Sequence, residues 1–271
     1  MKDKTPAAWR EIYPGESEEL LKALHILTRD GKLNQDSKRK LKQVLHLAQL
    51  ITPKLDGHKT VVDLGAGKSY LGFILYDLFL KTQDETTLIA VESRAELVSN
   101  CRTIAKASKF ERIQFLESSI AESHSQLPAT VDVVTALHAC DTATDDAIWL
   151  GLQKAAKVIA LVPCCQAEVA RSLESVSTGP LKPLWAQGIH RREFGSHLTN
   201  VIRCLVLEAY GYKVRATEFI GFEHTLKNEM ILAERHHRRN PVAQRSLDAL
   251  LSELPIEMKL LNLVRSHAPP A

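Results

Sequence analysis

Apolar positions in the first fifty residues recur at helical spacing. Leu20, Leu24 and Leu27 share one face, and Leu41, Leu45, Ala48 and Ile51 share another. The polar run "RDGKLNQDSKRK" separates the two sets and Pro53 closes the second, which predicts a small N-terminal helical segment over residues 1–56. From Thr60 the pattern changes. "TVVDL", "TLIAVE", "RIQFLE", "VDVVTAL" and "KVIALVP" are short runs rich in β-branched residues, separated by about 15 to 25 residues each. Helix-length segments at Tyr70–Lys81, Ala95–Ala107 and Thr144–Lys154 fit between them as crossovers, so the five runs are expected to lie parallel in one sheet. The fifth run leads into a long stretch that reads as irregular, with Pro180, Pro183, Gly188 and Gly195, and then into the helical "SHLTNVIRCLVLEAYGY", ended by Gly211. "KVRATEFIGF" and "NEMILAERH" are joined by only "EHTLK", too short for a crossover, and must pair antiparallel. A central α/β domain over 57–239 is therefore expected, followed by a tail over 240–271 of two short helices and a frayed end.

Composition narrows the class. With 271 residues, 45% hydrophobic and 25% charged, the chain can bury a substantial core. Its longest apolar stretches, such as Val158–Cys165, are strand-sized, so no membrane span is expected. The first residues lack the apolar centre of an export signal, which predicts a cytoplasmic protein. Cys101, Cys140, Cys164, Cys165 and Cys204 are odd in number and two are adjacent, which suits reduced thiols better than a disulfide framework. A net charge of +3 does not by itself call for a polyanionic partner. Local clusters do more: "DSKRKLK" (Asp36–Lys42), "HRR" (His190–Arg192) and "ERHHRR" (Glu234–Arg239) are basic runs expected to converge on an RNA backbone, with solvated helix faces as the plainer reading.

The chemistry concentrates where strands end. "VVDLGAGKSYLG" ends in a Gly-Lys-Ser, but a phosphate loop would need glycine at Val62, and the turn is too tight to wrap a triphosphate. What remains is a strand ending in Asp63, then Gly65, Ala66 and Gly67 at a sharp turn into a helix, a place where backbone can approach a nucleoside-like cofactor. A dinucleotide site would want a third glycine where Tyr70 stands. Glu92 ends the second run, where an acid either accepts both ribose hydroxyls, the reading its spacing from Gly65 favours, or is simply a solvated strand end. Ser118 or Ser119, after the third, either approaches the adenine or caps a helix. His138, Cys140, Asp141, Cys164, Cys165 and Gln166 follow the fourth and fifth runs and are the candidate acceptor side. Two cysteines and a histidine could hold zinc, yet no Cys-x-x-Cys spacing is present and adjacent cysteines chelate one ion awkwardly, so no metal is expected. Cys164 as a covalent nucleophile lacks an identifiable base, and the Asp-Thr-Ala-Thr stretch can simply cap the next helix.

"DLGAGKSYLG", "LHACDTATDDAI", "VPCCQ", "SHLTNVIRCLVLEAYGY" and "EHTLKNEMILAE" together resemble the methyltransferase domain shared by the methyltransferase-like 25 proteins, the glutathione-S-transferase C-terminal-domain-containing proteins and, more distantly, a tRNA ribose 2′-O-methylase family. The likeness spans Lys59 to Glu234. Here Ser69 replaces a later glycine of the first motif, Asp141 stands where glycine is usual, and Gln166 follows the cysteine pair where relatives carry histidine or tyrosine. The resemblance implies a class I methyltransferase (Rossmann-like) sheet, five parallel strands plus a C-terminal antiparallel hairpin behind an N-terminal helical extension, and S-adenosyl-L-methionine as cofactor. Asp63, Gly65, Ala66, Gly67, Glu92, Ser119 and His138 are the expected cofactor contacts. For a hydroxyl acceptor His138 is the first choice of base, with a structural histidine as the alternative, and Lys68 is a weaker candidate for a charge-stabilising cation. RNA is the preferred acceptor; a protein or small-molecule acceptor, or a noncatalytic cofactor-binding scaffold, are the competing readings.

Overall fold

The computed structural model describes residues 17–33, 35–55, 57–83, 85–137, 139–176, 178–218, 229–236 and 238–266. Contacts divide them into two compact units, one running to Ser123 and the other comprising the described residues from His124 onward.

In the first unit, Ser17 caps the helix Glu18–Ala23, its Oγ accepting from the Leu20 amide at 3.2 Å. The helix stops short of the expected Leu27. His25 adopts a left-handed φ of 56°, and Leu27 instead bridges Leu33 across a tight turn. The helix Gln35–Ile51 follows the predicted period, burying Leu41, Leu45, Ala48 and Ile51, and Pro53 sits in the short 3-10 turn that ends it. Three parallel strands come next: β1 (Thr60–Leu64), β2 (Thr87–Glu92) and β3 (Ile113–Glu117), in the order β3-β2-β1, with Val61 opposite Leu88 and Leu88 opposite Ile113. β1 and β2 are buried almost throughout, as strands covered on both faces must be. The crossover helices are Tyr70–Leu78, extended by a 3-10 turn, and Ala95–Ala107. Phe73, Tyr76, Phe110 and Phe115 fill the space between the first of them and β3, with the Tyr76 and Phe110 rings stacked at 4.4 Å.

The second unit carries β4 (Val133–Leu137) and β5 (Val158–Val162), parallel and joined through the helix Thr142–Gln153. β7 (Glu229–Arg235) pairs antiparallel with β5 on one side and with β6 (Tyr212–Glu218) on the other, so the order is β4-β5-β7-β6 and the expected antiparallel pair is present. The ten residues between β6 and β7 lie outside the described ones. The stretch expected to be irregular is largely helical: Glu168–Glu174, Lys182–Ala186, and a 22-residue helix Gly188–Ala209 that starts well before Ser196. Gly195 does not break this helix, because the missing side chain is what lets it rest on Ala170: a Cβ there would meet the Ala170 backbone at 2.8 Å. Gly211 does end it, with φ of 91° and the Arg238 carbonyl 2.7 Å from where its Cβ would stand. Two helices, Pro241–Glu253 and Lys259–Ser266, form the tail.

Candidate active site

The turn after β1 is shaped by its glycines. Gly65 and Gly67 have φ of 65° and 58°, and Ser69 continues the left-handed geometry at 53°. A Cβ on either glycine would meet no protein atom closer than 3.8 Å, so the backbone there is bare of side chains and presents a surface that a ligand can approach. Ala66 donates to the Val91 carbonyl at 2.9 Å, which ties the turn to β2. Asp63, at the end of β1, is buried, and Lys68 at the tip of the turn is exposed. The Ser69 Oγ is buried without a hydrogen-bond partner among the described residues.

Glu92 lies beside this turn. Its Oε2 accepts from the Gly67 amide at 2.8 Å and from Arg94 Nη2 at 3.2 Å, and its Oε1 accepts from the Arg94 amide at 3.0 Å and from Arg94 Nε at 2.8 Å. Burial works against the charge, but the Arg94 side chain and the Arg94 and Gly67 amides outweigh it and hold the carboxyl below its usual range. An ionised strand-end carboxylate next to a bare glycine turn fits the ribose of an adenosyl group. Arg94, whose side chain is 66% exposed, covers the carboxylate and has open solvent to move into. Ser119 is engaged elsewhere: its Oγ accepts from the Glu122 amide at 3.3 Å and donates to the Glu122 carboxylate at 2.6 Å, the reciprocal cap of the helix Ile120–Ser123.

In the second unit the residues after β4 and β5 are drawn together. Asp141 donates its amide to the Cys165 carbonyl at 2.6 Å, and its Oδ1 accepts from the Ala167 amide at 3.1 Å. This holds Asp141 at φ 50°, ψ −120°, a region that favours glycine. Three thiols meet beside it: Cys140 Sγ lies 2.8 Å from Cys164 Sγ, Cys164 Sγ lies 3.7 Å from Cys165 Sγ, and all three fall within 4.8 Å of one another. Cys140 and Cys165 are exposed and Cys164 is half-buried. Burial is the main cause that pushes the Cys140 and Cys164 thiols up, the reverse of an activated nucleophile. His138 lies outside the described residues.

Behind the thiols runs a buried polar network that sequence reading missed. Arg203, buried in mid-helix, donates from Nε to Asp145 Oδ1 at 2.8 Å, from Nη1 to Asn200 Oδ1 at 3.1 Å and from Nη2 to the Asp141 carbonyl at 3.0 Å. Gln166 donates to the Ser196 carbonyl and hydroxyl, each at 3.0 Å, and its Oε1 is buried without a partner among the described residues. Burial pushes the Asp145 carboxyl up to about 7; Arg203 opposes this and the Glu168 carboxylate adds to it. The only sequence signal was the pair Asn200 and Arg203, one turn apart in the helix Gly188–Ala209.

The two basic runs of the second unit lie apart. His190 opens the helix Gly188–Ala209, whereas Arg239 lies over the Tyr210 ring at its other end; at 1.5 Å per residue the two are about 30 Å apart. Arg191 is spent internally, on the Trp185 carbonyl and Glu174. Among the described residues no helix is long and apolar enough to cross a membrane.

A protein-family model described as "Methyltransferase domain" matches residues 39–172, a little under half of the chain. No curated protein matches the sequence. Among solved structures, the chain is similar to the SAH-bound Podospora anserina methyltransferase PaMTH1, at 13% identity and a TM-score of 0.52 over 84% of this chain and 92% of that one. It is also similar to a protein from Corynebacterium glutamicum, at 13% identity and a TM-score of 0.52 over 85% and 97%. These two likenesses establish the fold. The family match and the class I Rossmann-like α/β fold agree that residues 39–172 carry a methyltransferase domain.

Proposed function

We propose that the acceptor of the methyl group is RNA. The observation that carries this reading is the exposed cationic surface on the strand-end side of the second unit. Gln166, just past β5, is bonded to Ser196 and Asn200, so the first turns of the helix Gly188–Ala209 project beyond the ends of β4 and β5. His190 and Arg192 are exposed there, and Arg171, with its side chain 64% exposed and its Nη2 3.9 Å from Asp141 Oδ2, stands on the neighbouring helix Glu168–Glu174. Such side chains suit phosphate contacts that position a nucleic acid without reading its sequence.

S-adenosylmethionine, when bound, supplies a methyl group already activated as a sulfonium. This chain's part is to hold and orient. Glu92 takes the ribose, the side-chain-free backbone of Gly65 and Gly67 lines the cradle, and His138, on sequence grounds alone, accepts the proton of a hydroxyl acceptor. Lys68 offers a cation at the exposed tip of the turn. Cysteines without disulfides suit a reducing compartment such as the cytoplasm.

The test is a labelled-methyl assay on total RNA followed by nucleoside mass spectrometry, paired with RNA binding across a salt series. Arg171→Ala with Arg192→Ala should weaken RNA binding uniformly across sequences and lower the salt slope by about 2, one per lost contact, with cofactor affinity unchanged. Label appearing only in protein or in small molecules would replace RNA as the acceptor. Cofactor binding without turnover on any acceptor class would favour the scaffold reading.

A further inference from the structure

We propose that Cys140, Cys164 and Cys165 form a three-thiolate site for a soft divalent cation of the zinc class, with a fourth position facing solvent. The spacing argument against a metal was that adjacent cysteines cannot both reach one ion. Their sulfurs, however, stand 3.7 Å apart, and two ligands at about 2.3 Å from a tetrahedral zinc are separated by about 3.8 Å. The pair already has the edge length of a metal tetrahedron. The third sulfur, from Cys140, comes from the loop after β4 and falls inside the same 4.8 Å sphere. It is too close to Cys164, at 2.8 Å, and too far for the 2.05 Å bond of a disulfide; Cys140 is exposed and needs a movement of about 1 Å to complete the triangle.

The loops that bear the thiols are held for the purpose. Asp141 links them through its amide to the Cys165 carbonyl and its carboxylate to the Ala167 amide, in a left-handed backbone conformation that a non-glycine residue adopts only when held. Arg203 clamps the Asp141 carbonyl from behind, and Gln166 anchors the residue after the pair. A supporting shell of this kind fixes ligand positions before the ion arrives. On binding, the cation takes the place of three thiol protons, which pass to solvent. Three sulfurs lead the choice towards zinc-class ions and away from magnesium or calcium. Because exposed Cys140 and Cys165 form the outer side of the triangle, the remaining position is open to water or to an incoming ligand, the arrangement of a reactive and not of a sealed structural site.

The experiment uses the full chain purified under reducing conditions and loaded with Zn²⁺ alone, then with Co²⁺ as a spectroscopic probe. About one zinc per chain should survive dialysis, and the cobalt form should show tetrahedral d–d bands with thiolate charge transfer. Cys140→Ser, Cys164→Ser and Cys165→Ser should each weaken metal affinity at least tenfold, while Cys101→Ser and Cys204→Ser leave it unchanged. Cys140→Ser and Cys165→Ser change exposed residues, so the result does not hang on the half-buried Cys164. Sub-stoichiometric zinc in the wild type overturns the proposal. So does unchanged zinc affinity in Cys165→Ser, or a wild-type chain isolated 2 Da light with Cys140 joined to Cys164, which would make the pair a disulfide.

Discussion

Arg94 and Glu92 show how a single contact can be read in two directions. The guanidinium reaches both carboxylate oxygens, so in the proposed site a ribose would compete with it for the same carboxylate. Replacing Glu92 with Gln removes a charged hydrogen bond worth about 1.5–3 kcal/mol, and calorimetry should find S-adenosylmethionine binding weakened about 10- to 100-fold. Arg94→Ala should leave affinity equal or raise it a few-fold, since nothing then competes for the carboxylate. An Arg94→Ala loss as large as that of Glu92→Gln would mean that the arginine itself touches the cofactor. That Glu92 and the glycine turn lie side by side was legible in the sequence, because both follow neighbouring parallel strands at the same end. Arg94 was not, since an arginine two residues past a strand reads as solvated surface. Ser119 reads equally as a ligand contact or a cap, and only the position of Glu122 three residues on, a local signal that was available, separates the two.

Elements with an apolar strand core or a clean helical period were legible to within a few residues: β1, β2 and the helix Ala95–Ala107 fall on the predicted positions. The helix Gly188–Ala209 was legible only in its second half. Glycine costs a helix interior about 1 kcal/mol, so Gly195 reads as a boundary until the partner backbone is seen against it. The separation of the two basic runs of the second unit was hidden for a related reason, because spacing along a chain says nothing about which end of a helix a loop returns to. Two glycines make the packing argument testable. A Cβ at Gly195 meets backbone atoms of Ala170 that cannot move away, whereas at Gly151, in the helix Thr142–Gln153, the nearest atom is the tip of the Ile159 side chain. Gly195→Ala should therefore destabilise by about 1–3 kcal/mol in urea unfolding, overpacking exceeding the gain in helix propensity. Gly151→Ala should be close to neutral, as Ile159 rotates aside. Equal effects at the two sites would show that the close approach of Gly195 to Ala170 has no energetic weight.

The stability of the whole chain should carry the mark of Asp145. Its carboxyl, at about 7 in the folded protein against an ordinary 3.8, keeps a proton that the unfolded chain releases between those values. The folded state then binds more protons, so this group's contribution falls as pH rises through that window and levels off above it. Denaturation of wild type and Asp145→Asn from pH 4 to 8 should show the stability difference moving against the wild type with increasing pH. The opposite slope would mean that Arg203 keeps Asp145 ionised. The strand order of the second unit has a further consequence, in the time over which the chain is made. β5 is apolar throughout and fully buried, but its second neighbour is β7, which is translated after β6 and after the whole helix Gly188–Ala209. At about 5–20 residues per second, the nascent chain carries one unsatisfied apolar strand edge for several seconds. A ribosome-arrested chain ending before Glu229 would offer that edge to any other chain within reach, so expression at high rate should favour inclusion bodies, and slower synthesis at low temperature should favour soluble protein.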